Sequence, residues 1–178
     1  MENRDFEALL NTDTLWCRCQ TRLRGALRIT GYVTILSGPG SACRKLCREV
    51  IGSNMVTINC REATDPASFW HQVALYACVP AIDLKDSKNQ RGDDSYLLKE
   101  IILPYYIEHD KVLVVEDFHL ACSKMQVFMV QQFKDSVRRG LRVVILLHKS
   151  QVDILLRANP DLQGRISIID VHNSCNHG

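Results

Sequence analysis

The stretch ILSGPGSACRKLCREV, residues 35–50, contains an apolar strand end, a glycine turn and the start of a helix. Gly38, Pro39 and Gly40 turn the chain sharply after the strand, and Ser41 is predicted to cap the helix that follows. Free N–H groups and the helix dipole at such a start favour an anion. The stretch therefore predicts a strand–turn–helix unit with an anion site at the turn.

The same alternation of strand and helix continues along the chain. Short β-branched runs predict strands at Tyr32–Ser37, Met55–Cys60, Lys111–Asp117, Arg142–Leu147 and Arg165–Val171. Helices are predicted at about 41–51, 66–78, 95–108, 124–139 and 150–157. Runs such as VLVV and VVILL are apolar on both faces, as strands are when helices cover both sides of a sheet. We expect an α/β fold, a three-layer sandwich around a five-stranded, mainly parallel sheet.

The length of 178 residues predicts about one domain with a substantial core. We expect a helical lead-in over residues 1–30, an α/β core over 31–171 and a polar tail over 172–178. The segment LKDSKNQRGDD, residues 84–94, has no apolar anchor and is predicted to be a loop.

Composition excludes few partners. With 22 basic and 20 acidic side chains the net charge is +2, which neither requires nor excludes nucleic acid. Apolar runs such as Val143–Leu147 are too short to span a bilayer, so no membrane partner is expected. The N-terminus shows no secretion signal, which predicts a cytoplasmic protein, or a nuclear one in a eukaryote.

The eight cysteines are scattered without the C-x2-C spacing of a zinc site, so no metal site is predicted. Most are expected to be small buried hydrophobic residues, and four have suitable helical or apolar surroundings: Cys43, Cys47, Cys60 and Cys78. CRC at 17–19 and HNSCNH at 172–177 would share a metal only if the termini met; a frayed tail is the alternative.

From about Tyr32 to Val171 the sequence resembles the core of a P-loop NTPase of the AAA+ or STAND type, with altered Walker A and Walker B motifs. The family loop has the form G-x-x-x-x-G-K-[ST]. Laid on GPGSACRK, Gly38 is the first glycine, Cys43 replaces the second, Arg44 replaces the lysine, and Lys45 replaces the hydroxyl residue.

The resemblance implies ATP or ADP as the ligand of this loop. Its candidate binding residues are Gly38, Pro39, Gly40, Ser41, Ala42, Cys43, Arg44 and Lys45. Arg44 can contact a phosphate, although its planar fork is larger than an ammonium. Lys45 cannot ligate magnesium and would repel it, so the magnesium-dependent part of the chemistry is the hardest to retain.

The strand KVLVVEDFHL ends in Glu116 and Asp117, the inverse of the family order. The resemblance implies that the first carboxylate holds magnesium through water and that the second polarises the attacking water. The alternative is that both acids are the polar exit of a buried strand. The resemblance also places a phosphate sensor at His148 or Ser150, with a loop residue as the alternative.

An arginine finger directed at a neighbouring subunit would correspond to Arg165, with Arg157 as the second choice. The candidate catalytic residues are therefore Glu116, Asp117 and Arg165. The alternative for Arg165 is a surface arginine beside the last strand. The family also has a helical lid; because the sequence ends at Gly178, either the lid is absent or the sequence is a fragment.

The segment CRCQTRLRGALR carries four arginines and no acid: Arg18, Arg22, Arg24 and Arg28. On a helix, several of these side chains can share one side and contact nucleic-acid phosphates. The alternative is a solvated helix that leads into the first strand.

Three functions remain open from the sequence. The first is a degenerate AAA+-like module, nucleotide-binding at most, that works by association with protein or DNA partners or with itself. The second is a magnesium-dependent ATPase that tolerates Arg44 and the inverted acids. The third is a scaffolding α/β domain without a ligand.

Overall fold

Five parallel strands form the sheet at the centre of the protein in a computed structural model that describes residues 2–80 and 97–171, with side chains from residue 14 onward. The strands are β1 Val33–Ser37, β2 Met55–Asn59, β3 Val112–Glu116, β4 Arg142–Leu147 and β5 Ile166–Asp170. Their order is β2-β3-β4-β1-β5, and all four neighbouring pairs are parallel. The predicted α/β fold is confirmed. The predicted loop at 84–94 and tail at 172–178 lie outside the described residues.

The helices are α1 Glu2–Arg28, α2 Gly40–Ile51, α3 Pro66–Tyr76, α4 Leu103–Glu108, α5 Ser123–Arg138 and α6 Lys149–Ala158. Short 3-10 turns lie at Gly52–Asn54, Phe118–Leu120 and Pro160–Leu162. The predicted strands and α2, α5 and α6 agree with these bounds to within one residue. No described helix is both long and apolar enough to cross a bilayer.

Alternation along the strands explains why both faces of the sheet are apolar. In β3, Leu113 and Val115 pack with α3, α5 and α6, whereas Val112 and Val114 pack with α1 and α2. Successive side chains of a strand point to opposite faces, so a continuous apolar run can serve two layers. The fold is therefore a three-layer sandwich, with its larger core on the α3 side.

The sequence predicts one continuous helix at 95–108, and the structure differs in the type of helix at its start. The described residues there are a π-helical turn, Leu97–Ile102, followed by the α-helix α4. Pro104 stands at the start of α4 and has no N–H to donate to the preceding turn. The wider π-turn accommodates that missing bond.

Helix α3 begins where the sequence predicts, at a capping box formed by Asp65 and Ser68. The Asp65 carboxylate accepts from the Ser68 N–H at 2.9 Å, and the Ser68 hydroxyl accepts from the Asp65 N–H at 3.1 Å. The bond from the Ser68 N–H, and after it the bond from the Thr64 hydroxyl, lowers the pKa of Asp65 from its usual value. The cap is therefore strongest with Asp65 ionised.

We expect Asp65→Ala to lower the free energy of unfolding by about 1 kcal/mol at pH 7, because the first turn of α3 loses its cap. A lowered folded-state pKa means that this stabilisation is present above the unfolded pKa and is lost as pH falls through the folded pKa. Urea denaturation at pH 7 and pH 3 should therefore show the difference shrinking in acid. Asp153→Ala, at an exposed site on α6, is the control, and an equal loss there would contradict the capping role.

Helix α1 covers the edge strand β5. Leu23 is fully buried, and the Cys19 thiol donates to the Asp170 carbonyl at 3.4 Å. Arg22 donates to the Ile168 carbonyl at 2.9 Å. The free edge of β5 is thereby partly satisfied by α1, which blocks pairing with another strand.

Candidate functional site

The carboxyl ends of β1, β4 and β5 converge on Gly38. Its N–H donates to the Leu147 carbonyl at 3.0 Å, and Val171 N–H donates to the Ser37 carbonyl at 2.7 Å. A Cβ at Gly38 would lie 2.2 Å from the Val171 carbonyl oxygen. Close packing between strands β1 and β5 is thus enough to require glycine here, before any ligand is considered.

Helix α2 starts only two residues after Gly38. Pro39 is its N-cap residue, with φ −61°, and no side chain caps the first turn. The predicted cap at Ser41 is wrong, because Pro39, two residues earlier, is the N-cap residue and Ser41 lies inside the helix. The first N–H groups of α2, from Gly40 to Ala42, have no partner within the helix and are the donors available to an anion.

Arg44, at the position of the family lysine, is bound to the acid that would hold a metal. Its Nη1 lies 3.4 Å from Glu116 Oε2, with 46% of the Arg44 side chain and 14% of Glu116 exposed. The guanidinium also lies over Gly40, where a Cβ would be 3.7–3.9 Å from it. The structure therefore brings Gly40, Arg44 and Glu116 together as one cluster.

Lys45 is directed towards α1. Its Nζ lies 5.5 Å from the centroid of the Trp16 ring and 3.9 Å from a carboxylate oxygen of Glu49. The same carboxylate accepts from Trp16 Nε1 and Gln20 Nε2, each at 2.8 Å. Lys45 thus helps to join α1 to α2, and no hydroxyl or carboxylate replaces the magnesium ligand expected at its position.

Cys43 occupies the core beneath α2. It is fully buried with Leu46 and Cys47, and its thiol lies 3.8 Å from the Leu36 carbonyl. Burial raises the pKa of Cys43 to about 12, so the thiol stays neutral. At the position of the second family glycine, the chain has a packing residue.

Asp117 has different partners from Glu116. Its backbone is left-handed, with φ 53°, and its Oδ2 accepts from Asn59 Nδ2 at 3.1 Å and pairs with Arg61 Nε at 3.0 Å. The two acids therefore separate, Glu116 towards α2 and Asp117 towards the end of β2. Asn59 and Arg61 were not predicted as site residues; the available signal was that Asn59 lies near the end of a predicted strand and Arg61 follows it closely, where the carboxyl ends of parallel strands meet.

Arg165 lies at the amino ends of the strands, opposite the ends where Gly38 and the two acids lie. Its carbonyl accepts from Val33 N–H at 3.0 Å, at the amino ends of β1 and β5. Glu116 stands at the carboxyl end of β3, so Arg165 and Glu116 lie at opposite ends of the parallel strands. Arg157, exposed in the last turn of α6, is also removed from the acids by the length of that helix. A finger role for Arg165 or Arg157 stays a prediction that needs a second subunit.

His148 caps α6. Its Nδ1 lies 3.0 Å from the Ser150 hydroxyl and 3.5 Å from the Ser150 N–H. The two sensor candidates therefore bond to each other at a helix start.

The four arginines of α1 do not form one patch. All four are exposed, but Arg22 is bonded to β5, while Arg24 and Arg28 line a cavity at the amino edge of the sheet. On a helix, Arg18 and Arg22 share one side and Arg24 and Arg28 share another.

Among the residues that the structure describes, no three His, Cys, Asp or Glu side chains gather as a metal site would require. Cys43, Cys47 and Cys60 are buried as predicted. The apolar surroundings predicted for Cys78 are wrong: it is exposed, with φ 61°, in the left-handed turn that ends α3. The alternative metal pairing of 17–19 with 172–177 falls partly outside the described residues.

No model of a known protein family matches the sequence. No curated protein matches it either.

Solved structures, in contrast, share its fold. Cdc6p from Pyrobaculum aerophilum is 17% identical over 94% of this chain and 45% of its own length, with a TM-score of 0.53. Two structures of the Drosophila ORC, one bound to DNA and one bound to AT-rich DNA and Cdc6, are each 12% identical over 93% of this chain, with TM-scores of 0.57 and 0.55. They are covered over 32% and 31% of their own lengths.

The chain thus spans less than half the length of each of these structures. At sequence identities this low, the structural similarity shows a shared fold only. The chain therefore shares with these structures an α/β fold, here a five-stranded parallel sheet with strand order β2-β3-β4-β1-β5.

Proposed function

We propose that this chain is a degenerate AAA+-like module that works by association with protein or DNA partners and does not carry out magnesium-dependent ATP hydrolysis. The observation that supports it most is the Arg44–Glu116 ion pair over Gly40. In this pair, the candidate phosphate ligand and the candidate metal ligand neutralise each other.

Magnesium does not suit the residues at this site. At the position where the metal needs an oxygen the chain has Lys45, whose ammonium lies beside Trp16 and Glu49, and Asp117 is held by Asn59 and Arg61. A nucleotide phosphate suits them better, since the free N–H groups at the start of α2 are donors and Arg44 can exchange Glu116 for a phosphate. The module is therefore a nucleotide binder at most.

Partner association is supported by two further observations. The similar Drosophila ORC structures are bound to DNA, and one of them also to Cdc6. In addition, Val127 and Phe128 of α5 are about half exposed beside a cleft of about 780 Å³. Such apolar exposure favours association with another protein surface.

Thermal melting with ATP or ADP, with and without magnesium, tests whether the chain binds nucleotide and whether binding depends on magnesium. A nucleotide at about 100 times its Kd would raise the melting temperature by roughly 5–10 °C. We expect any such shift to be independent of magnesium and to disappear in Arg44→Ala.

Glu116→Gln is the matched variant, because it releases Arg44 without changing the size of the side chain. We expect it to bind nucleotide more tightly, with or without magnesium, since Glu116 no longer competes for Arg44. In a magnesium-dependent ATPase the same change removes a metal ligand. A magnesium-dependent shift that Glu116→Gln abolishes would therefore contradict the proposal.

A further inference from the structure

A cavity lined by arginines lies at the amino ends of the strands, away from the Gly38 turn. The cavity, of about 270 Å³, opens there between α1, the end of α2 and the starts of β3 and β4. Three arginines line it, Arg24 and Arg28 from α1 and Arg142 from β4, together with Asn54 and Asp110. At about 30 Å³ per water molecule in the liquid, its volume accommodates a group several waters in size.

The local structure explains why these three arginines meet. Arg24 and Arg28 are four residues apart, so they lie on the same side of α1. Arg142 is the first residue of β4 and pairs in register with Val112, which packs on the α1 side of the sheet. The arginines that line the cavity thus come both from α1 and from the sheet on which α1 packs.

The charges in this cavity do not balance. Neither Arg24 nor Arg28 forms an ion pair with any residue in the two described segments of the chain. Arg142 pairs with Asp110 at 2.7 Å, and that carboxylate is 72% exposed. Three cations therefore face one carboxylate, and the pair four apart on α1 is itself repulsive.

The helix dipole accounts for only part of this arrangement. Arg28 lies in the last turn of α1, where a cation is favourable. Arg24 lies one turn earlier and Arg142 lies on a strand, so the dipole does not explain their convergence.

We propose that this cavity binds a phosphate group. Planar guanidinium groups donate paired hydrogen bonds to phosphate oxygens, and an anion here would relieve the repulsion among the arginines. The phosphate belongs either to a nucleic-acid backbone or to a free polyphosphate, since both present the same oxygens. The proposal does not depend on the Gly38 turn, which lies at the other edge of the sheet.

The test uses two probes on the whole chain: pyrophosphate by titration calorimetry and a fluorescein-labelled DNA duplex by anisotropy. Arg24→Gln/Arg28→Gln is the main variant, and Arg18→Gln is the control, because Arg18 is exposed on α1 outside the cavity. We expect the double variant to weaken binding roughly tenfold or more and Arg18→Gln to leave it nearly unchanged.

Asp110→Asn provides a change of opposite sign. Asp110 has φ 54°, a conformation that asparagine tolerates well, so the backbone should be retained while the opposing charge is removed. We expect tighter binding of the same probe, because Arg142 then loses its competing carboxylate.

The probes also distinguish the two sources of phosphate. Backbone binding predicts that the double variant reduces the slope of log K against log salt by about 2 for the duplex. Loss confined to pyrophosphate assigns the cavity to a free polyphosphate. The proposal is overturned if neither probe binds, if the double variant binds like the wild type, or if Arg18→Gln weakens binding equally.

Discussion

Gly38→Ala is expected to lower the free energy of unfolding by about 3 kcal/mol, because the added Cβ would lie 2.2 Å from the Val171 carbonyl oxygen. That oxygen is a backbone atom of a residue tied to β1 by the bond from Val171 N–H to Ser37, so it moves aside less readily than a side chain would. Chemical denaturation of the variant measures the loss, and the melting temperature should fall by roughly 6–12 °C.

Gly40→Ala is the matched control, two residues away in the same turn. A Cβ there meets only the flexible Arg44 guanidinium, at 3.7–3.9 Å. We expect unchanged stability or a gain of up to about 1 kcal/mol, because alanine favours the helix. Equal stability of the two variants would contradict the close packing of Gly38 against β5.

The buried thiols are expected to react about 10³-fold more slowly than the exposed ones at pH 8. Burial raises the pKa of Cys43, Cys47 and Cys60 to about 12 from the ordinary 9.0, which reduces their thiolate fraction by about that factor. Cys17, Cys78 and Cys122 are exposed and should be modified first by a disulfide reagent. Peptide mass spectrometry after timed labelling assigns each rate.

Unfolding in guanidinium is the control, where all eight cysteines should react rapidly. The raised pKa also has a stability consequence. Neutral buried thiols stabilise the fold fully below the unfolded thiol pKa near 9, and this stabilisation is lost as pH rises towards 12. Labelling of Cys43 as fast as Cys17 would show that α2 does not hold Cys43 in the core.

The strands and most helix starts could be predicted because their signals are local. VLVV and VVILL are apolar at every position, and the parallel sheet uses both faces of each. Asp65 followed by Pro66 marks the start of α3 for an equally local reason. The π-turn before Pro104 was missed because helical periodicity does not distinguish a wider turn from an α-turn.

The candidate site was less predictable because its contacts join distant residues. The bond from Arg44 to Glu116 spans 72 positions, and Lys45 meets Trp16 across two helices. Arg44, Lys45 and the two acids stand out in the sequence as departures from the family motifs. Their partners are not visible there: Arg44 pairs with Glu116, Lys45 packs on α1, and Asp117 is bonded to Asn59 and Arg61.

Release of inorganic phosphate from ATP, measured at saturating ATP with and without magnesium, tests the account most directly. We predict that magnesium adds no turnover and that wild type, Arg44→Ala and Glu116→Gln give the same background rate, because Lys45 offers no oxygen to the metal and Asp117 is held by Asn59 and Arg61. Magnesium-dependent release by the wild type that both substitutions abolish would contradict the account and establish an ATPase at this site.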